Sequence, residues 1–305
     1  MTDLNADQFE AYRPLMFSIA YRMLGSATEA EDIVQETYLR YRTTPPDQIV
    51  SHKAFLSTIV TRLCLNQLQS AHVQRETYIG PWLPEPVLTE SYDLFAPAQQ
   101  AELYDSLSIA FLTLLEQLTP LERTVFLLRE VFDYEYSEIA EIISKEEAAC
   151  RQMFSRAKKH IAEHRPRFKP STEAHRDILN QFTQAASTGD LNGLMHLLAE
   201  DVVLWADGGG KTRGAALRPL YGREAVAQFV LASPRFIGQG SYRVELANVN
   251  DELAAIIRVN GGVIAVLSIA LNEDNGTVSE IRAMGNPDKL KWVSGNNNEN
   301  NEVTQ

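Results

Sequence analysis

SEIAEIISKEEAACRQMFSRAKKHIAEH (137–164) decides the first part of the fold. It divides into a short helix, SEIAEII, a break at Ser144-Lys145-Glu146, and a longer helix from about Glu146 to His164. In the longer helix Cys150, Met153, Phe154, Ala157 and Ile161 recur at helical spacing and form a core face. Gln152, Ser155, Arg156 and Lys159 fall on the opposite face, flanked by Arg151 and Lys158. A short helix, a tight turn and a longer basic helix is the helix-turn-helix pattern, whose second helix enters the DNA major groove. Arg can read guanine and Gln adenine there, while Lys and Ser hold phosphates. An ordinary helical hairpin with a solvated basic face fits the same residues.

Charge has to be read locally. The chain of 305 residues carries a formal net charge of −12, a poor start for a nucleic-acid binder. Residues 145–169, however, hold eight basic and three acidic residues. Phosphates respond to such a patch, because attraction is screened beyond ~8–10 Å. Upstream, Thr119-Pro120-Leu121-Glu122 is a helix start, with a capping Thr, Pro at the first position and Glu at the third. The helical block containing both features spans 100–170.

Before it lies TYIGPWLPEPVLTESYDLFAPAQ (77–99), with four prolines and neither Lys nor Arg. This reads as an acidic, extended linker. Its Trp82, Leu83, Tyr92 and Phe95 call for a surface to lie on. Residues 1–76 read as three helices. Phe9, Tyr12, Met16, Ile19 and Met23 mark the first, which Gly25 ends. The second starts at one of two capping boxes, Ser26–Glu29 or Thr28–Glu31, and stops before Pro45-Pro46. The third runs from near Ser51 to about Glu76.

From Thr172 the texture changes. Two helical stretches precede the strand VVLWA (202–206); another helix (224–232) precedes strands at 242–248, 253–260, 263–271 and 278–284. That order predicts an α+β domain with one curved antiparallel sheet. After VVLWA comes DGGGK (207–211), where glycines permit unusual backbone angles and close approach. Its amides, with Lys211 and Arg213, suit a carboxylate or phosphate, and a plain turn also fits. Residues 293–305 are Asn-rich and predict a disordered tail. Cys64 and Cys150 belong to no metal or disulfide pattern, and no cofactor or metal is expected. The most apolar run, Val263 to Leu271, is too short to cross a membrane, and the polar N-terminus shows no signal peptide. A cytoplasmic protein is expected.

The order of the pieces, a three-helix block, an acidic Pro-rich linker and a helix-turn-helix block, resembles the extracytoplasmic-function sigma factors of bacterial RNA polymerase. EAEDIVQETYLRY (29–41) looks like the segment of region 2 that docks on the polymerase β′ clamp, with Asp32, Gln35 and Glu36 facing outward. AFLSTIVTRLCLNQLQSAHVQRE (54–76) looks like the reader and opener of the −10 element. The resemblance assigns Lys53, Arg62, Asn66, Gln69 and Arg75 to that DNA. Residues 118–161 look like region 4, which reads the −35 element and meets the β flap. Its DNA-binding residues would be Arg151, Gln152, Ser155, Arg156, Lys158 and Lys159. WLPEP (Trp82, Leu83, Pro84, Glu85, Pro86), DGGGK (Asp207, Gly208, Gly209, Gly210, Lys211) and NPDKL (Asn286, Pro287, Asp288, Lys289, Leu290) resemble the signature stretches of the sigma-J-like subgroup. Members of that subgroup carry a fused SnoaL-like domain, a cone of helices on a curved sheet. The resemblance covers roughly residues 5–292 and implies a regulatory contact among the three stretches. One departure is that Asn66, Gln69, His72 and Gln74 stand where such families are usually Arg-rich.

The expected architecture is therefore multidomain: sigma region 2 (1–76), linker (77–99), sigma region 4 (100–170), a SnoaL-like, nuclear transport factor 2-like α+β domain (171–292) and a tail. The function implied is transcription initiation on promoter DNA with RNA polymerase core, controlled in cis by the fused domain and without catalysis. The alternatives are a small-ligand sensor in the C-terminal cone, or an isomerase- or cyclase-type enzyme using Asp207, His196, Trp205 or Tyr221.

Overall fold

The computed structural model describes residues 4–89, 107–164, 171–233 and 242–294. The second half of the expected linker, the start of the following block and most of the expected tail lie outside the described residues. The chain forms two compact units. One comprises residues 1–76 with 90–165, and the other 77–89 with 166–305. Residues 77–89 of the linker thus pack with the C-terminal domain.

In the first unit, helices α1 (Leu4–Leu24), α2 (Ala27–Thr43) and α3 (His52–Glu76) pack together. Gly25, at φ +66°, ends α1, and its N–H bonds Tyr21 O at 2.7 Å. Ser26 is the cap chosen for α2: its hydroxyl accepts from the Glu29 N–H at 3.1 Å. Ile33, Val34, Thr37 and Tyr41 turn inward as their spacing requires. The same unit contains α4 (Ile109–Leu115), α5 (Pro120–Phe126), a wide π-helical turn at Leu127–Val131, α6 (Tyr136–Ile143) and α7 (Glu147–His164). Thr119 and Glu122 form the expected capping box, with Pro120 as first residue. Helix α6 starts one residue earlier than its sequence indicates. The Glu135 N–H donates to Glu138 Oε2 at 2.8 Å, so Glu138 rather than Ser137 organises the start. Ser144 makes the α6–α7 turn in the left-handed region at φ +54°. Cys150, Met153, Ala157 and Ile161 are buried, and Phe154 packs at the edge of the same core.

In the second unit α8 (Thr172–Thr188) and α9 (Leu191–Leu197) lead into β1 (Leu198–Asp207), followed by β2 (Leu220–Tyr221) and α10 (Arg223–Ala232). The strands β3 (Tyr242–Val249), β4 (Glu252–Val259), β5 (Gly262–Leu271) and β6 (Val278–Met284) then form a meander. Sheet order is β2-β1-β6-β5-β4-β3. The expectation of an all-antiparallel sheet is corrected here, because β1 and β6 run parallel, with Asp207 paired to Met284. The meander starts at the far edge and returns to β1 on its fourth strand. Its direction then places the C-terminal ends of β1 and β6 side by side. DGGGK and the NPDKL turn therefore emerge at one end of the sheet.

Alternation along the strands gives the sheet two apolar faces. Leu204, Ala206, Ala255 and Ile269 meet α8, α9 and α10 on one face. Ala254, Ile256, Val266 and Met284 face the other way and are covered by Leu83, Leu290 and Val293. Val293, expected at the head of a disordered tail, is fully buried in this second layer.

Candidate functional site

The second layer is held by a cluster centred on Asp207. Its carboxylate is fully buried and accepts four hydrogen bonds. Oδ1 accepts from the Tyr78 hydroxyl at 2.6 Å and the Gly209 N–H at 3.1 Å. Oδ2 accepts from the Leu83 N–H at 2.8 Å and Lys289 Nζ at 2.8 Å. Lys289 also donates to Leu83 O at 2.7 Å, so one residue of the linker is gripped through both of its backbone groups. The Lys289 ammonium lies 4.2 Å from the Trp82 ring centroid and 4.9 Å from that of Tyr78, so aromatic faces supply part of its solvation. Burial, then the hydrogen bond to Asp207, hold the Tyr78 phenol well above the usual tyrosine range.

The surrounding motifs complete the cluster. Asn286 Nδ2 donates to the Tyr78 oxygen at 2.9 Å, and the Asp288 N–H returns to Asn286 Oδ1 at 3.1 Å. Lys211 pairs with Asp288. The Gly285 N–H donates to Asp207 O at 2.8 Å, and the Thr212 hydroxyl to Gly285 O at 2.6 Å. A Cβ on Gly209, which has φ +56°, would sit 2.3 Å from Asn286 Nδ2. A Cβ on Gly210, at φ +72°, would sit 2.9 Å from Ile79. One on Gly208 would sit 2.5 Å from the Ala215 side chain. The three glycines thus allow the DGGGK loop to lie against its neighbours. Leu83, Pro84, Glu85 and Pro86 are all buried, and Pro287 is exposed.

Beyond WLPEP the linker adds to the sheet edge. The Val87 N–H donates to Asn250 Oδ1 at 2.9 Å, and the Asn250 N–H to Val87 O at 2.9 Å. Leu88 bridges Val249, and the Asp251 N–H donates to Thr89 Oγ1 at 2.8 Å. Tyr78, Thr212, Gly285 and Asn250 were not singled out by sequence. Asn250 alone carried a signal: with Asp251 it forms a two-residue hairpin turn at positive φ, as Asn-Asp tolerates.

In the helical unit Asp32 and Gln35 are exposed on α2, and Glu36 pairs with Arg40 at 3.0 Å. On α7 all six expected residues are exposed. Arg151 pairs with Glu147 at 2.7 Å and stacks 4.5 Å from the Tyr136 ring centroid. Arg156 lies 3.4 Å from Glu122, Lys158 3.0 Å from Glu130 and Lys159 3.9 Å from Glu163.

Two of the α3 residues expected on DNA are occupied internally. Arg62 Nε donates to Ile142 O at 2.8 Å, and its Nη2 to Glu141 O at 3.1 Å and Ser144 Oγ at 3.3 Å. A guanidinium there satisfies the terminal carbonyls of α6 and complements its dipole. The Lys53 ammonium lies 4.9 Å from the Tyr134 ring centroid, and the Tyr134 hydroxyl bonds Ser57 at 2.6 Å. Arg123, buried, donates to Met23 O at 2.6 Å and pairs with Glu116 at 2.6 Å. Asn66 and Gln69 are exposed, and the Arg75 side chain lies outside the described residues.

The residues weighed for catalysis are not brought together. Asp207 lines a cavity on the helical side of the sheet, but its oxygens are committed to the linker. His196, Trp205 and Tyr221 do not line that cavity, and Tyr221 is exposed. Cys64 and Cys150 are buried thiols, and burial pushes both pKa values up. No described helix is long and apolar enough to cross a membrane.

Two helical segments, an α7 with an exposed basic face and an α+β domain define a transcription-factor architecture, and comparison with known proteins specifies it. Residues 8–73 match the Sigma-70 region 2 family and residues 108–161 the Sigma-70 region 4 family. The ECF RNA polymerase sigma factor SigJ of Mycobacterium tuberculosis is 35% identical over 295 residues, which cover 94% of this chain and 93% of SigJ. A crystal structure of M. tuberculosis SigJ superposes with a TM-score of 0.72 at 33% identity, covering 94% of this chain and 98% of that one. The probable ECF sigma factor SigI of the same organism is 35% identical over 192 residues, covering 62% of this chain and 65% of SigI. The chain belongs to the ECF sigma factors of RNA polymerase. It is a sigma factor for transcription initiation, a class that binds RNA polymerase core and promoter DNA, and the likeness to the SigJ crystal structure extends over 94% of the chain, its C-terminal α+β domain included.

Proposed function

We propose that region 4 reads the −35 element through α7, that α3 of region 2 reads and opens the −10 element, and that the C-terminal domain controls both in cis by gripping the linker. Asp32, Gln35 and Glu36 dock on the β′ clamp, region 4 meets the β flap, and the protein acts in the cytoplasm. The observation that carries the reading of cis control is the capture of Leu83 by Asp207 and Lys289, which ties WLPEP, DGGGK and NPDKL into one buried cluster.

The surface charges support the DNA roles. The α7 cations, all exposed, are paired with carboxylates of their own chain that are exposed (Glu147, Glu130, Glu163) or half-buried (Glu122). Such pairs are worth ~0–1 kcal/mol, so phosphates displace them at little cost. Arg62 reaches DNA on this reading only after leaving the end of α6. Polymerase core, by drawing regions 2 and 4 apart, is the agent that frees it.

The test is in vitro transcription with core polymerase from the upstream region of the chain's own gene. Wild type, Asp207→Asn and a chain ending after Ser294 are compared. Specific transcripts are expected, with a rate that changes when Asp207 is replaced; the direction of change assigns activation or repression. Equal rates from wild type and Asp207→Asn refute control through the linker. No transcript from any form and no binding to core refute the promoter assignments as well.

A further inference from the structure

The helical face of the C-terminal sheet encloses a cavity of about 450 Å³, within the ~300–1,000 Å³ range of small-molecule sites. Phe182, Leu204, Phe229, Ala255, Leu267 and Ala283 give it an apolar wall. Its hydroxyls are already spent on backbone carbonyls: Thr183 on Leu179 O at 2.9 Å, Ser233 on Phe229 O at 3.0 Å, Thr212 on Gly285 O at 2.6 Å. A polar body entering there would lose water and gain no partner. Two cations line the cavity, Lys211 and Arg213. Lys211 is paired with Asp288, whereas Arg213 has no partner among the described residues.

We infer that this cavity binds an apolar monocarboxylate, with its hydrocarbon or ring body against the wall and its carboxylate on Arg213. An uncharged apolar body matches the satisfied interior, and a single planar anion matches a free guanidinium. The cavity also shares parts with the linker cluster. Asp207 and Leu290 line it, and Leu290 packs with Leu83 on the other face. Occupancy stiffens the Asp207–Thr212 loop and tightens its hold on Leu83. Binding stands without the proposed control in cis; this coupling rests on it.

The experiment uses the full chain with decanoate and its uncharged counterpart decan-1-ol, followed by calorimetry. Wild type is expected to bind decanoate at one site. Ala255→Phe, which fills the cavity, weakens binding at least ten-fold, its folding being checked by circular dichroism. Arg213→Gln, a surface change, weakens decanoate about ten-fold and leaves decan-1-ol unchanged. Absent or unsaturable decanoate binding overturns the site, as does equal binding by wild type and folded Ala255→Phe. Unchanged decanoate affinity in Arg213→Gln overturns the carboxylate assignment. For the coupling, saturating decanoate slows hydrogen exchange at the Leu83 amide, and an unchanged rate overturns it. Since none of these readouts uses polymerase, a failure here is distinct from a failure of the transcription test.

Discussion

Asp207→Asn keeps the shape of the side chain and removes its charge. Each carboxylate oxygen accepts two hydrogen bonds, from Tyr78 and Gly209 on one side and from Leu83 and Lys289 on the other. Either orientation of the new amide therefore turns its NH2 toward two donors. Lys289, 9% exposed, loses its buried counter-charge in either orientation, while Leu83 O and two aromatic faces remain among its contacts. Breaking one partner of a buried pair costs about 3–5 kcal/mol. Because those remaining contacts persist, the lower end, about 3 kcal/mol, is expected. That is roughly a 100-fold increase in the open population. The assay is native-state hydrogen exchange at the Leu83 amide, whose N–H points at Asp207 Oδ2. Exchange should accelerate by about two orders of magnitude while amides in α3 and α7 are unaffected. The double variant Asp207→Asn/Lys289→Met should recover part of the loss, since removing both charges abolishes the uncompensated one. Exchange at Leu83 within three-fold of wild type in the single variant would refute the reasoning.

Four further outcomes are expected. Gly209→Ala should cost about 3 kcal/mol in thermal unfolding, combining left-handed strain with the clash on Asn286. Gly189→Ala, at φ +75° with open space around it, should cost only ~1 kcal/mol; equal losses would remove the steric argument. The Tyr78 phenol is 10.0 in its ordinary state and raised in the fold, so its contribution is complete below about pH 10 and is lost as pH climbs toward the raised value. Leu83 protection, corrected for base catalysis, should accordingly be flat between pH 6 and 9, and a fall in that window would contradict it. Arg62→Ala should destabilise the helical unit by about 1–2 kcal/mol in urea by releasing the end of α6, and no change would show that the contact contributes nothing. Arg156→Ala should weaken binding to a cognate −35 element by about 1–3 kcal/mol, and unaltered binding would make it a surface residue only.

Local chemistry was legible in the sequence where one segment contains the whole answer. The Thr119–Glu122 box and the division of α7 into a core face and a basic face follow from spacing alone, whereas for α2 spacing offered two caps, of which Ser26 is the one used. The pairing of β1 with β6 was not legible, because strand direction depends on the edge from which the meander starts. Nor was the role of Tyr78: a Tyr in a Pro-rich linker gives no sign that a carboxylate 129 residues away accepts its hydrogen bond. The resemblance assigned Arg62 to the −10 DNA, and its contact with the end of α6 was not legible for a related reason. An Arg that caps another helix and an Arg that waits for DNA have the same sequence neighbours, and only the packing of α3 on α6 separates them. The three glycines lie between these extremes. Their need for close approach was readable, and the neighbours that approach, Asn286, Ile79 and Ala215, were not.

The linker cluster also changes how the chain is strung. Residues 77–89 belong to the C-terminal unit, while the chain on either side of them belongs to the helical unit. The polypeptide therefore passes between the units three times, and the C-terminal domain is moored at the middle of a loop as well as at its own start. When the whole segment is released, its Asp207–Leu83, Val87–Asn250 and Thr89–Asp251 contacts together, the C-terminal domain keeps only its covalent attachment at its own start. Recapture is then intramolecular, governed by an effective concentration on the order of millimolar rather than by the concentration of protein. A free WLPEP peptide would have to reach that range to compete, so dilution does not open the cluster. Only something that acts on the same chain, or on the whole length of the loop at once, can unmoor it.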